Sequence, residues 1–153
     1  MTDHSELHDS SLAGRKASMA TVARATVEEL APLDALAKDG VTLLRRPEIG
    51  LVMVRGRIGG DGTPFNMGEA TVTRAAVSLP GGEVGFGHVL GRDKEKARLA
   101  ALADALWQAP ATRDAVEALL QPVRDRLAAE TLRRREQAAA TRVDFFTMVR
   151  GDN

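Results

Sequence analysis

The chain predicts an α+β fold, an antiparallel β-meander of about four strands packed with N-terminal and C-terminal helices. Three observations carry that reading. Apolar residues recur at helical spacing near both ends, as Met19, Val22, Val27 and Leu30 and again as Leu99, Leu102, Ala103 and Leu106. The stretch between them, from Val41 to Leu90, is rich in β-branched residues. Turns containing Gly and Pro divide that stretch, and turns this short join antiparallel neighbours, because parallel strands need a long crossover.

Residues 1–11 read as a mobile polar tail, 12–142 as a single α+β domain and 143–153 as a C-terminal aromatic assembly segment. Helical patterning runs from Leu12 to Leu30. Pro32 opens a short second helical piece, and Gly40 suits the position just past its end. Four strands follow: Val41 to Arg45, Glu48 to Ile58, Glu69 to Leu79, and Glu83 to Leu90. Arg46-Pro47 favours extended backbone between the first two. Gly59-Gly60-Asp61-Gly62 and Pro80-Gly81-Gly82 are turn signals. Asp93 is a fitting N-cap for the next helix, which Pro110 stops. Thr112 caps a further helix burying Val116, Leu119, Leu120, Val123 and Leu127, which Pro122 should kink or divide.

Composition excludes several classes. With no Cys in 153 residues, disulfides and thiolate-held zinc or iron–sulfur clusters are ruled out. Lys and Arg total 21, as do Asp and Glu, so the chain lacks the excess positive charge of an obligate nucleic-acid binder. The acidic start MTDHSELHDS is unlike a secretory signal, and no apolar run is long enough to span a bilayer. The expectation is a cytoplasmic protein with neither nucleic acid nor membrane as partner. Of the larger apolar types only five residues are aromatic, and 25 residues are Ala. A core this thin points towards burial completed on another protein.

No catalytic residue is identifiable. A nucleophile elbow and a Walker A pattern are both absent, and GRIGGDGTPF lies between strands, where a hairpin turn explains its glycines. His4 and His8 stand four apart without a third ligand, and His88 alternates with Val84, Phe86 and Leu90, facing the core or an interface; no metal site is assigned. Arginine dominates the basic residues, 17 against 4 Lys, and its planar fork grips carboxylate or phosphate through two hydrogen bonds. Arg45, Arg46, Arg55, Arg57, Arg74 and Arg92 lie on or beside the predicted sheet. They either converge on an anion or pair with acids such as Glu48, Glu69 and Asp93. Arg57, Arg74 and Arg92 are the candidate substrate-binding set. In the last segment, alternation puts large apolar groups on both sides of RVDFFTMVRGDN. A strand apolar on both faces is buried on both. Val143, Phe145, Phe146, Met148 and Val149 are therefore candidate interface residues, joining either this chain's own sheet or another subunit.

The motifs GE-x-TVTR, GRDK and VDFFTMVRG, in that order, resemble PhnG, the G subunit family of the bacterial carbon–phosphorus lyase core complex. The likeness runs from about Ala13 to the C-terminus. It implies a subunit that acts with the H, I and L proteins to displace adenine from ATP by an alkylphosphonate. The product would be α-D-ribose 1-methylphosphonate 5-triphosphate. It further implies association with the core subunits H, I and J, with the nucleoside-cleaving step on the larger I subunit. On that reading this chain is an accessory or structural subunit, inactive alone and holding no cofactor of its own. ATP and Mg would serve as substrate and ion of the whole complex, and a self-dimer is an added possibility. The residues by themselves leave a second class open: a stand-alone nucleotide- or anion-binding module using an Arg-bearing sheet face.

Overall fold

A computed structural model describes residues 4–38, 40–59 and 61–140, with side chains from Leu12 onward. Helix α1 spans His4–Val22, α2 Val27–Leu30 and α3 Leu33–Leu36. Strands β1 (Thr42–Arg57), β2 (Pro64–Ser78) and β3 (Val84–Leu90) follow, then α4 (Lys94–Gln108) and α5 (Pro110–Ala140). The fold is the expected α+β meander, with the three strands antiparallel in the order β1-β2-β3.

Three strands stand where the sequence suggests about four, because Arg46-Pro47 does not break the chain. β1 passes through it with register shifts between Leu43 and Arg45 and between Arg45 and Glu48. β1 is an edge strand, where a residue without an N–H leaves no ladder bond unmade. Helical backbone also begins earlier than the periodicity indicates, at His4. The stripe that reads as continuous from Leu12 to Leu30 is split. Thr26 opens α2 with a capping box, its hydroxyl accepting from the Glu29 N–H while the Glu29 carboxylate accepts from the Thr26 N–H. Gly40 adopts φ +94° but does not close the helical piece: α3 ends at Leu36 with Ala37 as its C-cap, and Gly40 closes the turn that follows, donating its N–H to the Ala37 carbonyl at 3.2 Å.

The Asp93 cap is as expected, its carboxylate accepting from the Lys96 N–H at 2.9 Å. Pro110 does not merely stop α4; it is the first residue of α5, where a missing N–H costs nothing. Thr112 donates its hydroxyl to the Leu106 carbonyl at 2.6 Å instead of capping. Pro122 lies within a continuous α5. It faces solvent, while Leu120 and Val123 beside it are fully buried and hold both halves of the helix on one core.

α4 is the centre of that core. Buried residues from α1, α2, α3, α5 and one sheet face all pack on it, and Ala97, Ala100, Ala101, Ala103 and Ala105 keep its sides small. β3 meets it through Gly85 and Gly87. A Cβ at Gly85 would stand 2.0 Å from the Ala101 carbonyl oxygen, and one at Gly87 2.0 Å from that of Ala97. The alanine richness thus permits a helix to lie directly against a strand backbone. Gly87→Ala is expected to cost about 2–3 kcal/mol, because both clashing partners are backbone. Thermal unfolding followed by circular dichroism checks it, with a fall in Tm of roughly 5–10 °C.

Candidate functional site

The helices cover one face of the sheet. Pairing of Arg74 with Glu48 on β1 and with His88 on β3 sets all three on the other face, with Phe86 opposite Ala76. The hydrophobic alternation of Val84, Phe86, His88 and Leu90 leaves two orientations for β3, and the structure selects the outward one for the last three. Gly85, Gly87 and Val89 are buried against α4, while Phe86, His88 and Leu90 are exposed. Because Ala76 is small, the surface dips there, and Arg45, Arg74, Ala76, Phe86 and His88 line the shallow depression.

One carboxylate oxygen organises its charges. Glu48 Oε1 accepts from Arg45 Nη1 at 2.9 Å and from Arg74 Nε at 3.0 Å. All three side chains are about half exposed, so each pair contributes only ~0–1 kcal/mol to stability. Its chemical consequence is larger. Two guanidiniums share one carboxylate, leaving a net positive charge beside the Phe86 ring and the His88 imidazole. Such a surface can attract an anion and offer a flat apolar body something to stack on.

The three arginines singled out by sequence occupy three separate places. Arg74 is the one on this face, paired with Glu48 and not with the acids nearest it in the sequence. Arg57 stands opposite Pro64 near the end of the β1–β2 hairpin and reaches the Gly62 carbonyl at 3.4 Å. That register puts it ten residues along β2 from Arg74, about 33 Å at 3.3 Å per residue. Arg92 is exposed between β3 and α4 and makes no hydrogen bond or ion pair among the described residues. What the sheet brings together is Arg45, Arg74 and His88. That grouping depends on the register between strands, for which a single sequence carries no signal. Val143, Phe145, Phe146, Met148 and Val149 lie outside the described residues. Among the described residues no cluster of three or more His, Asp or Glu could hold a metal ion, and no helix is long and apolar enough to cross a membrane.

Deeper polar groups are occupied structurally. Asp104, 2% exposed, accepts from Arg15 Nε at 2.7 Å, from Arg15 Nη2 at 2.8 Å and from the Phe86 N–H at 2.9 Å. Glu117 accepts from Ser18, Trp107 and Arg124. Burial pushes its pKa up, but those hydrogen bonds and the Arg124 charge outweigh it and hold the carboxyl below its ordinary value.

A second exposed feature lies beyond the helices. β3 pairs along β2 only as far as Val72, and the β1–β2 hairpin continues past that point as a two-stranded arm. Leu51, Met53, Ile58, Phe65 and Met67 on it are all exposed.

These features define an α+β protein with helices on one face of its sheet, a mixed cationic and aromatic surface on the other, and an uncovered apolar arm. The chain belongs to the PhnG family, whose profile, described as phosphonate metabolism protein PhnG, matches residues 13–151. It is 57% identical over 147 residues to the alpha-D-ribose 1-methylphosphonate 5-triphosphate synthase subunit PhnG of Rhizobium meliloti (strain 1021), covering 95% of this chain and 94% of that protein.

Proposed function

We propose that this chain is the G-type subunit of an α-D-ribose 1-methylphosphonate 5-triphosphate synthase in phosphonate catabolism. The observation that carries the reading is 57% identity, across nearly the full length of both chains, to a relative bearing that name. At the level of the complex, a phosphonate oxygen forms a bond to the ribose anomeric carbon of ATP. The bond from that carbon to the adenine nitrogen breaks, and adenine leaves with the electron pair and takes up a proton. The transition state carries positive charge on the sugar, so catalysis requires a positioned nucleophile and a stabilising environment.

The H, I, J and L proteins are the partners on this reading, in the cytoplasm. The nucleoside-cleaving groups belong to the I subunit. Mg would be held mainly by the triphosphate and by groups outside this chain. This subunit's part is accessory. It builds the complex and, through Arg57, Arg74 and Arg92, offers guanidiniums to phosphate or phosphonate oxygens. Their separation implies that any such contacts are made singly, each at a different boundary with another subunit.

Adenine release from ATP and methylphosphonate, followed chromatographically, tests this. The isolated chain should release none, the reconstituted complex should release it, and omitting this chain should abolish or strongly reduce turnover. In the complex, Arg57→Lys, Arg74→Lys and Arg92→Lys keep the charge and lose the fork. An arginine that touches substrate should then cost about tenfold or more in kcat/KM, since a charge-assisted hydrogen bond contributes about 1.5–3 kcal/mol. Normal turnover and assembly in all three would remove them as substrate contacts. Adenine release by the pure isolated chain at the rate of the complex would overturn the accessory role.

A further inference from the structure

We infer that the free edge of β1 at Gly50–Val54 receives an extended segment from another subunit, one with an apolar centre flanked by acidic residues. The inference rests on the reading above that the chain works in a complex, and it names the element that docks and the chemistry it accepts.

β1 is an edge strand, and among the described residues nothing pairs with its outer side. Proteins protect such edges with charge and proline. The first half of β1 is protected in this way, by Arg45, Arg46, Pro47 and Glu48. The run Gly50-Leu-Val-Met-Val54 has neither device. It begins where the sheet narrows to the two-stranded arm, an arrangement of marginal stability on its own.

The arm also exposes enough surface to bind. Leu51, Met53, Val54, Ile58, Phe65 and Met67 are between 39% and 76% exposed. At roughly 150–250 Å² for a large side chain they present on the order of 600 Å². A standard stable interface buries about 800 Å² on each partner. Strand addition would supply the balance through main-chain hydrogen bonds, with side chains of the added strand packing beside those of β1 on both faces.

Charge selects the occupant. The bare run is flanked by Arg45 and Arg46 on one side and by Arg55 and Arg57 on the other. Glu48 offsets the first pair in part. The acids nearest the second pair, Asp61 and Glu69, belong to the turn and to β2. Two copies pairing antiparallel about Val52 would set Arg57 of each opposite Pro47 and beside Arg46 of the other, one like-charge contact at each end, with Arg55 opposite Ile49. A strand with acidic ends meets attraction at both.

The test uses the full-length chain with the other subunits of the complex. Alone, it should sediment as a monomer. Leu51→Lys with Met53→Lys, both at exposed positions, should leave the circular dichroism spectrum intact and weaken association at least about a hundredfold, as charge opposed to an apolar or like-charged surface does. Arg46→Glu with Arg55→Glu leaves the apolar run untouched and should weaken association about tenfold at low salt, with the difference shrinking at high salt. If both folded variants assemble like the wild type, the edge is not the docking site, while the subunit role stands. A wild-type dimer that the lysine pair dissociates would identify a second copy as the occupant and overturn the proposal. Weakening by the lysine pair with no response to the glutamate pair would overturn the acidic chemistry. Failure of the wild-type chain to associate with any other subunit would overturn both this inference and the subunit reading.

Discussion

Asp104→Ala is expected to destabilise the folded chain by about 2–4 kcal/mol. Asp104 lies inside the central helix α4 with its side chain 3% exposed, and three donors converge on it from α1 and β3. Removing one partner of a buried ion pair costs about 3–5 kcal/mol, because the surviving charge stays desolvated. The Arg15 side chain is a third exposed and recovers part of that by meeting water. The Phe86 N–H is left without its acceptor, at a further cost of about 1–3 kcal/mol if water does not reach it. A guanidinium is not deprotonated in a protein, so Arg15 stays charged in the variant and cannot escape by neutralising. Asp104→Asn keeps an acceptor for the Phe86 N–H and should lose less, about 1–2 kcal/mol. Urea unfolding followed by circular dichroism is the measurement, and the expected result is a lower midpoint with an unchanged slope. A midpoint within error of the wild type for Asp104→Ala would show that the three-donor site is not holding α1 and β3 to α4. Natural domains have only about 5–15 kcal/mol in total, so the expected loss is a large fraction of stability.

Ending the chain after Arg142 is expected to leave it folded and to prevent its association with the other subunits. The segment removed carries Val143, Phe145, Phe146, Met148 and Val149, and the expectation for it rests on sequence. Two adjacent Phe side chains bury ~150–250 Å² each when packed, on the order of 8–12 kcal/mol of gross burial at ~25 cal/mol per Å². Ordering and association costs take much of that, yet the remainder exceeds what most interface residues contribute. The described core closes without this segment. Its buried cluster is drawn from Val22 through Leu127, and no buried side-chain polar atom among the described residues lacks a partner. The truncated chain should therefore keep its helical circular dichroism and remain soluble. Co-expression with the other subunits, followed by purification on a tag carried by one of them, reads the outcome. If the truncated chain unfolds, the segment belongs to the private core. If the complex forms normally, the segment is not an anchor. Combined with the β1-edge variants, the experiment also separates two apolar elements that serve assembly independently from two halves of one contact.

The elements with short-range signals were legible from sequence. Asp93 caps α4 because its carboxylate needs to reach only three residues ahead, to Lys96. Gly40 takes φ +94° because side-chain sterics around one Cα disfavour that conformation for other residues. The meander follows from turn lengths, which are local too. The PhnG family was also readable, from motifs that keep their order along the chain. Other features needed the tertiary structure. Hydrophobicity favours Phe86 and Leu90 as the buried side of β3, yet Gly85 and Gly87 face inward. The helix backbone lying against the strand at Gly85 and Gly87 leaves no room there for a side chain. Pro47 and Pro122 look like breaks, and neither is, because one sits on a sheet edge and the other on the solvent side of a helix anchored by its neighbours. Glu48 serves Arg74, 26 positions away, only because β1 and β2 pair in one register. Capping, turn geometry and periodicity act over a few residues and are written in the chain. Which face packs inward, and which charges meet, are decided by contacts between elements far apart in sequence, where close packing and strand register set the outcome.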